Sequence, residues 1–484
     1  MLFSSIPFLY YFLPVTAVLY FVLLGMPSAS MDLKNGWLLA ASLFFYAWGE
    51  PRHVLLMTAS ILLGYLSGIW MEAVISRAGK DTGGSKARDR QAKWTLVLCI
   101  LMQLGLLVYF KYADFFIRNL NGLTGSSLPL LRLKLPIGVS FYTFQMLSYL
   151  ADVYRGEVPA QRSLIRLALY ISMFPQLIAG PIVRYSEMAG QLENRTHSLD
   201  DFAWGIRRFV LGLSKKVLFA NVLGELCEAF KTSGDKAVLF YWIYAAALAL
   251  HIYFDFSGYS DMAIGLGRIF GFRFPENFDY PYIAGSITGF WRRWHISLGV
   301  WFRDYVYIPL GGSRAGRLKG IINILTVWML TGFWHGAAWN FILWGLFFAV
   351  LLILEKTGLL KYPGKGRLLS HVYVIAAVMI SFVIFDAADL KEAAACLAGM
   401  FGVGELPAVS MECIYYLKSY RVVLLAAAVG ATPLCSRLTE RMRRSAVGER
   451  LLNLLEPAVL AALLLLSTAY LVDGSFNPFL YFRF

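Results

Sequence analysis

The chain has 484 residues, 58% of them hydrophobic and only 15% charged, where a soluble domain carries about 25% charged residues. Runs approaching the roughly 20 apolar residues of a membrane helix recur along it, and they are continuous rather than alternating, which excludes both a soluble enzyme and a membrane β-barrel. The formal charge of +14 belongs with Lys and Arg held in cytoplasmic loops and implies no nucleic acid.

The first apolar run, 6–25, has no basic residue before it and is longer than a signal-peptide core, so it reads as a membrane helix. Further runs lie near 36–49, 53–71, 94–113, 136–153, 164–180, 238–256, 321–355, 369–386, 393–403, 421–435 and 457–472. The expected fold is an all-α polytopic integral membrane protein of roughly 11–13 membrane segments, several short or re-entrant, with interfacial amphipathic helices. No repeat and no loop long enough for a soluble domain interrupts it, so 1–484 reads as a single membrane domain. Cys99, Cys227, Cys396, Cys413 and Cys435 show neither CxxC nor metal-ligand spacing and read as free thiols. No metal site is expected.

Four loops are basic. They carry Arg77, Lys80, Lys86, Arg88, Arg90 and Lys93; Arg314, Arg317 and Lys319; Lys356, Lys361, Lys365 and Arg367; and Arg437, Arg441, Arg443 and Arg444. The positive-inside rule makes all of them cytoplasmic. The stretch 386–420 is acidic, with Asp386, Asp389, Glu392, Glu405 and Glu412, and reads as external. Because basic loops flank 321–355 on both sides, that run should cross an even number of times. It is expected to form two short arms that break at Gly332 or Gly336 within "TGFWHGAAWN" and leave His335 on a turn inside the membrane zone.

Two stretches read as interfacial. In 202–218, Phe202, Ile206, Phe209, Val210, Leu213 and Val217 share one helical face, with Arg207, Arg208, Lys215 and Lys216 opposite. This is either a cationic helix lying on an anionic leaflet or a connector packed on the bundle. In 286–303, capped by Ser286 or Thr288, one helix is expected. Its apolar face would be Ile287, Phe290, Trp291, Trp294, Leu298, Trp301 and Phe302, with His295 at the stripe's edge. "PLGGSR" at 309–314 then turns the chain and lacks a phosphate-loop pattern.

Three places hold residues able to do chemistry. His335, next to Trp334 and five residues before Asn340, is an ionisable group in an apolar run, with an unperturbed pKa suited to a general base. His295 sits in a crowd of Trp and Arg. His251 and Asp255 share a helix face, and Asp261 follows after a Ser-Gly-Tyr-Ser break; these acids read either as a proton path or as glue for a broken helix.

The segments "FPQLIAGPIVRYSEM" (174–188), "FDFSGYSDMAIGLGRIFGF" (254–272), "NFDYPYIAGSITGFWRRWHISLGVWFRDYVYIPLGG" (277–312), "LTGFWHGAAWNFILWG" (330–345) and "FNPFLYFRF" (476–484) form an ordered set. It resembles the membrane-bound O-acyltransferase family, and within it the membrane subunits of bacterial alginate O-acetylation. The resemblance is densest over about 136–345; before 130 and between 356 and 470 only hydrophobicity matches.

The resemblance implies that His335, in the "WHG" element, is the catalytic base and that His295, in "RRWHISL", is the second family histidine, a catalytic helper that orients the acceptor or donates to the carbonyl oxygen. It implies acyl transfer from a thioester to a hydroxyl, with no bound cofactor and acetyl-CoA as donor substrate. The expected setting is a bacterial inner (cytoplasmic) membrane, with the lipid bilayer around the chain. A periplasmic or extracellular acetyltransferase partner of the SGNH type would relay the acetyl group to an exopolysaccharide. On this reading Arg292, Arg293, Arg303 and Arg314 are candidate donor contacts, and Asn340 and Trp334 candidate carbonyl-oxygen donors or orienting groups. A proton-coupled transporter using His251, Asp255 and Asp261, and a non-catalytic scaffold of a polysaccharide export complex, stay open as alternatives.

Overall fold

The computed structural model describes residues 1–80, 85–314, 316–359 and 367–474. The side chains of Arg77, Lys80, Lys86, Arg88 and Arg367, the residues Lys361 and Lys365, and the motif at 476–484 lie outside this description. Among the described residues the regular structure is helical, apart from one antiparallel bridge between Phe278 and Trp294. Eight helices are long and apolar enough to cross a membrane: Phe8–Gly25, His53–Ser76, Arg90–Thr124, Val238–Ile269, Trp339–Lys356, Leu368–Asp386, Met411–Gly430 and Ala446–Val472. The protein is an all-α, multi-pass membrane protein.

The chain forms two compact units. The first comprises Met1–Ile206 with Ala263–Pro275. Phe3, Phe8, Phe12, Phe45 and Phe174 pack ring against ring at its centre. The run expected as one segment at 164–180 is divided. Leu164–Ser172 ends at Met173, and Phe174–Leu177 is a single turn with Pro175 as its second residue, whose ring cannot continue the preceding helix's hydrogen bonds.

The second unit comprises Arg207–Met262 with Glu276–Phe484. Here the cationic face expected for 202–218 turns inward. Arg207 pairs with Glu456, Arg208 with Asp261 (2.7 Å) and Glu276 (2.6 Å), Lys215 with Asp261 (2.6 Å), and Lys216 with Asp255 (2.5 Å). Every cation of the stripe has an internal acid, so this stretch is a packed connector rather than a helix lying on lipid. Its backbone winds as Leu199–Ser214 and then as a π-helical turn, Lys215–Asn221.

The Ser-Gly-Tyr-Ser stretch breaks nothing: Val238–Ile269 is one continuous helix. Gly258 serves close approach instead. A Cβ there would lie 2.7 Å from the Gly212 carbonyl oxygen, and one on Gly212 would lie 2.6 Å from the Gly258 carbonyl oxygen. Two helices touch backbone to backbone at this crossing, and the Asp261 and Asp255 pairs close on either side of it. His251 Nδ1 lies 2.7 Å from the Ala220 carbonyl. Hydrogen bonds to backbone and ion pairs thus occupy this constellation.

The run 321–355 is a helical hairpin, Arg317–His335 and Trp339–Lys356, turning at Gly336. Gly332 is not a break but a contact point: a Cβ on Gly345 would overlap the Trp328 carbonyl and lie 3.2 Å from Gly332 Cα. The arms are longer than expected. Nineteen and 18 residues span about 28 and 27 Å, against a hydrocarbon core of about 30 Å. His335 therefore ends an arm almost as long as that core is thick.

Candidate active site

The segment 286–303 is not one helix. Ile287–Trp291 and Ile296–Phe302 are separated by a turn at His295, whose backbone is left-handed (φ 47°, ψ 53°). That conformation is costly for a residue with a Cβ, about 1–3 kcal/mol, and a ladder holds it. Asp279 N–H donates to the Arg293 carbonyl (2.9 Å) and Ile296 N–H to the Asn277 carbonyl (3.0 Å). The turn rotates His295 away from the stripe's edge and into the protein, where it is 2% exposed. Phe256 contacts its ring edge-on, centroids 4.6 Å apart. The first short helix is capped by Ser286 Oγ, which accepts from Gly289 N–H (2.9 Å). It is also capped from the hairpin: Glu355 accepts from Ile287 N–H (2.6 Å), Thr288 N–H (3.0 Å) and Thr288 Oγ1 (2.7 Å).

His335 closes the first hairpin arm and is buried. Trp334, Trp344 and Phe385 surround its ring, with centroids at 4.7, 5.0 and 5.3 Å. This cage limits rotation and excludes water. Trp334 also contacts His295, centroids 6.3 Å apart, and so stands between the two histidines. Asn340 ties the hairpin tip to the end of the helix Arg367–Asp386. Its amide donates to the Ala387 carbonyl (2.8 Å) and, at longer range, to the Ile384 carbonyl (3.5 Å). Its amide N–H groups donate to backbone, which braces the hairpin tip.

Among the described residues of this unit, two neighbouring cavities bear on the site. The larger, about 680 Å³, is lined among others by Ser286, Thr288, Arg292, Tyr307 and Lys356, and its volume falls in the range of small-molecule sites, about 300–1,000 Å³. Arg292 and Lys356 against the single acid Glu355 leave its lining with a net positive formal charge. The smaller, about 170 Å³, is lined by Trp291, His295, Leu298, Arg303, Thr331 and others, and shares Tyr307 and Trp328 with the first.

Of the four arginines singled out, Arg292 lines the larger cavity and Arg303 the smaller. Arg303 also binds Asp304 (2.6 Å), and Arg293 pairs with Asp279. Arg314 is exposed in the turn that Asn323 holds through the Leu310 and Gly312 carbonyls. Sequence reasoning passed over Asn277, Tyr307, Glu355 and Lys356. Lys356 counted only as a loop charge, and nothing local marks the other three.

A family model for the membrane-bound O-acyltransferases matches residues 92–359. The chain is 41% identical to the probable alginate O-acetylase AlgI of Pseudomonas putida over 84% of its own length and 81% of that protein. It is 33% identical to the peptidoglycan O-acetyltransferase of Helicobacter pylori, over 83% and 80%. With the teichoic acid D-alanyltransferase of Bacillus subtilis it shares 31% identity over 45% of this chain and 58% of that one. The similarity thus reaches well beyond 136–345, where the motifs alone had suggested it thins to hydrophobicity. The extent of the family match and the AlgI identity agree with the all-helical membrane body and its buried His295 and His335: the chain belongs to the membrane-bound O-acyltransferase family and is an acyltransferase.

Proposed function

We propose that this enzyme takes an acetyl group from acetyl-CoA at the cytoplasmic face and moves it across the membrane for O-acetylation of an extracytoplasmic polysaccharide such as alginate. A partner acetyltransferase of the SGNH type makes the final transfer. The observation that carries this reading is the sequence of environments in the second unit. A cationic cavity at Arg292 and Lys356 adjoins an apolar one walled by His295, and Trp334 links His295 to caged His335. The first environment suits the phosphates of the donor, the second its uncharged arm, the third the reaction. CoA stays on its own side and only the acetyl group crosses.

In the reaction, His335 takes the proton of the acceptor hydroxyl as its oxygen attacks the thioester carbonyl. The tetrahedral intermediate collapses, the C–S bond breaks, and the imidazolium returns the proton to the departing thiolate. General-base assistance of this kind contributes about 10²–10⁴-fold. Caging by three aromatic rings keeps competing water from the thioester.

The test is transfer from radiolabelled acetyl-CoA by the purified protein in lipid nanodiscs. His335→Ala and His335→Gln should each lose about 10²–10⁴-fold while staying folded. Wild-type rates in either variant overturn the assignment of the base, and no donor consumption by wild-type protein overturns the function. A transporter would need Asp255, Asp261 and His251 to titrate, and the first two are locked in ion pairs at 2.5–2.7 Å. A scaffold would leave polymer acetylation unchanged in cells carrying His335→Ala.

A further inference from the structure

Asn277 precedes His295 by 18 residues, and its Oδ1 lies 3.1 Å from His295 Nδ1. The amide's orientation follows from its other partners. Ser297 N–H, which can only donate, points at Oδ1 (3.3 Å), as does Ser297 Oγ (2.9 Å), while Nδ2 donates to Ser260 Oγ (3.1 Å). An oxygen facing Nδ1 requires the proton on Nδ1. A neutral imidazole with its proton there presents Nε2 as a lone pair. Burial pushes this imidazole down to about 3, so the ring is neutral at physiological pH. An amide neighbour, unlike a carboxylate, adds no charge that would favour the imidazolium.

His295 Nε2 is buried and has no hydrogen-bond partner among the described residues. The same holds for Trp291 Nε1. Both residues line the 170 Å³ cavity. The side chains lining this chamber, Arg303, Tyr307 and Thr331 among them, thus include a lone pair that wants a donor and an N–H that wants an acceptor. Groups left unsatisfied in such a place keep the desolvation penalty of burial with nothing to offset it. A secondary amide satisfies both at once, its N–H toward His295 and its carbonyl toward Trp291.

We propose that Asn277 is a positioning residue that fixes His295 as a hydrogen-bond acceptor, and that His295 and Trp291 together bind a secondary amide of the thioester carrier's arm. This rests on the acyl transfer proposed above. It also removes His295 from the oxyanion role: a neutral ring whose only N–H is given to Asn277 has none for a developing alkoxide.

The test uses binding rather than turnover. Pantetheine is compared with an analogue of equal length in which the amide nearest the sulfur is replaced by an ester, which exchanges the N–H for an oxygen lone pair. Wild-type protein in nanodiscs should prefer the amide by about 10- to 100-fold. Asn277→Ala should bring that preference below about threefold, because the ring is then free to present either nitrogen. The isosteric Asn277→Asp keeps the hydrogen bond but stabilises the imidazolium by about 1–3 pKa units, so its amide preference should shrink between about pH 7 and about pH 5, where the wild-type preference stays constant. Equal affinity of wild-type protein for amide and ester, or an Asn277→Asp preference that ignores pH, overturns the proposal. An amide preference that behaves as described in a protein that consumes no acetyl-CoA leaves this inference standing and removes the acyl-transfer reading instead.

Discussion

Replacing Asp255 by Asn separates a structural reading of the buried ion pair from a catalytic one. Asp255 and Lys216 are 2.5 Å apart with side chains only 1% and 2% exposed, so water screens neither. Breaking a buried pair by removing one partner costs about 3–5 kcal/mol, because the remaining charge keeps its desolvation penalty without its counter-charge. At about 1.4 kcal/mol per decade that is a hundredfold to several-thousandfold shift toward unfolded protein. Asp255→Asn should therefore lower the thermal midpoint of the purified protein and its yield, while the folded fraction transfers acetyl groups at wild-type specific activity. The double substitution Asp255→Leu, Lys216→Met removes both charges and should recover most of the stability, since an apolar replacement of a buried pair is often neutral or better. The assay is chromatography-detected thermal unfolding paired with donor consumption per folded molecule. A stable Asp255→Asn protein that has lost its activity would refute this reasoning and place the pair in the chemistry or in a proton path.

Glu355→Gln puts an amide end against donors that now meet carboxylate oxygens at 2.6–3.0 Å on Ile287 and Thr288. It should cost about 1–3 kcal/mol and raise KM for acetyl-CoA more than it lowers kcat, because Thr288 and Arg292 line the larger cavity. Gly345→Ala should cost about 1–3 kcal/mol by overpacking, since its Cβ has the Trp328 carbonyl in its place; a lowered thermal midpoint together with lowered kcat is the expected signature. Cysteines at Ser313 and Leu359 should react with an impermeant thiol reagent from one face of the membrane and a cysteine at Asp389 from the other; labelling of all three from the same face sinks the proposed sidedness.

What the sequence disclosed depended on the range of the signal. The hairpin at 317–356 was legible because charge on both flanks is a local count, and the number of crossings follows from it. Its depth was not, because the starting point of each arm depends on how Gly332 and Gly345 let the arms pack. The amphipathic pattern at 202–218 was real, but its meaning lay in partners 46, 53 and 249 residues away: Asp261 for Lys215 and Arg208, and Glu456 for Arg207. A helical wheel has no way to distinguish a cation facing headgroups from one facing a buried acid. His295 was misplaced for the opposite reason. The wheel assumed an unbroken helix, and a left-handed residue held by the 277–279 segment moved it from the rim to the interior. Asn277 carries no local signal at all, since an asparagine in an aromatic loop has many uses.

The depth of the hairpin bears on how an acetyl group crosses a membrane without its carrier. Had the arms been short, His335 would lie near mid-bilayer and both substrates would have to descend to it. Instead His335 contacts Phe385, and Asn340 holds the Ala387 carbonyl. Both anchors lie at the far end of the helix Arg367–Asp386, next to the carboxylate that Tyr244 binds at 2.7 Å and Lys231 pairs with. With the sidedness proposed above, that end is extracytoplasmic. The acceptor then has little distance to travel, and the donor's arm must span most of the thickness from Arg292 and Lys356 inward. A long, flexible, largely uncharged arm ending in a thioester meets that requirement, and the chamber at His295 lies on its path. Under the transfer proposed above, the asymmetry gives the two histidines distinct duties: His295 grips the arm on its way through, and His335 acts where the arm ends and the hydroxyl arrives.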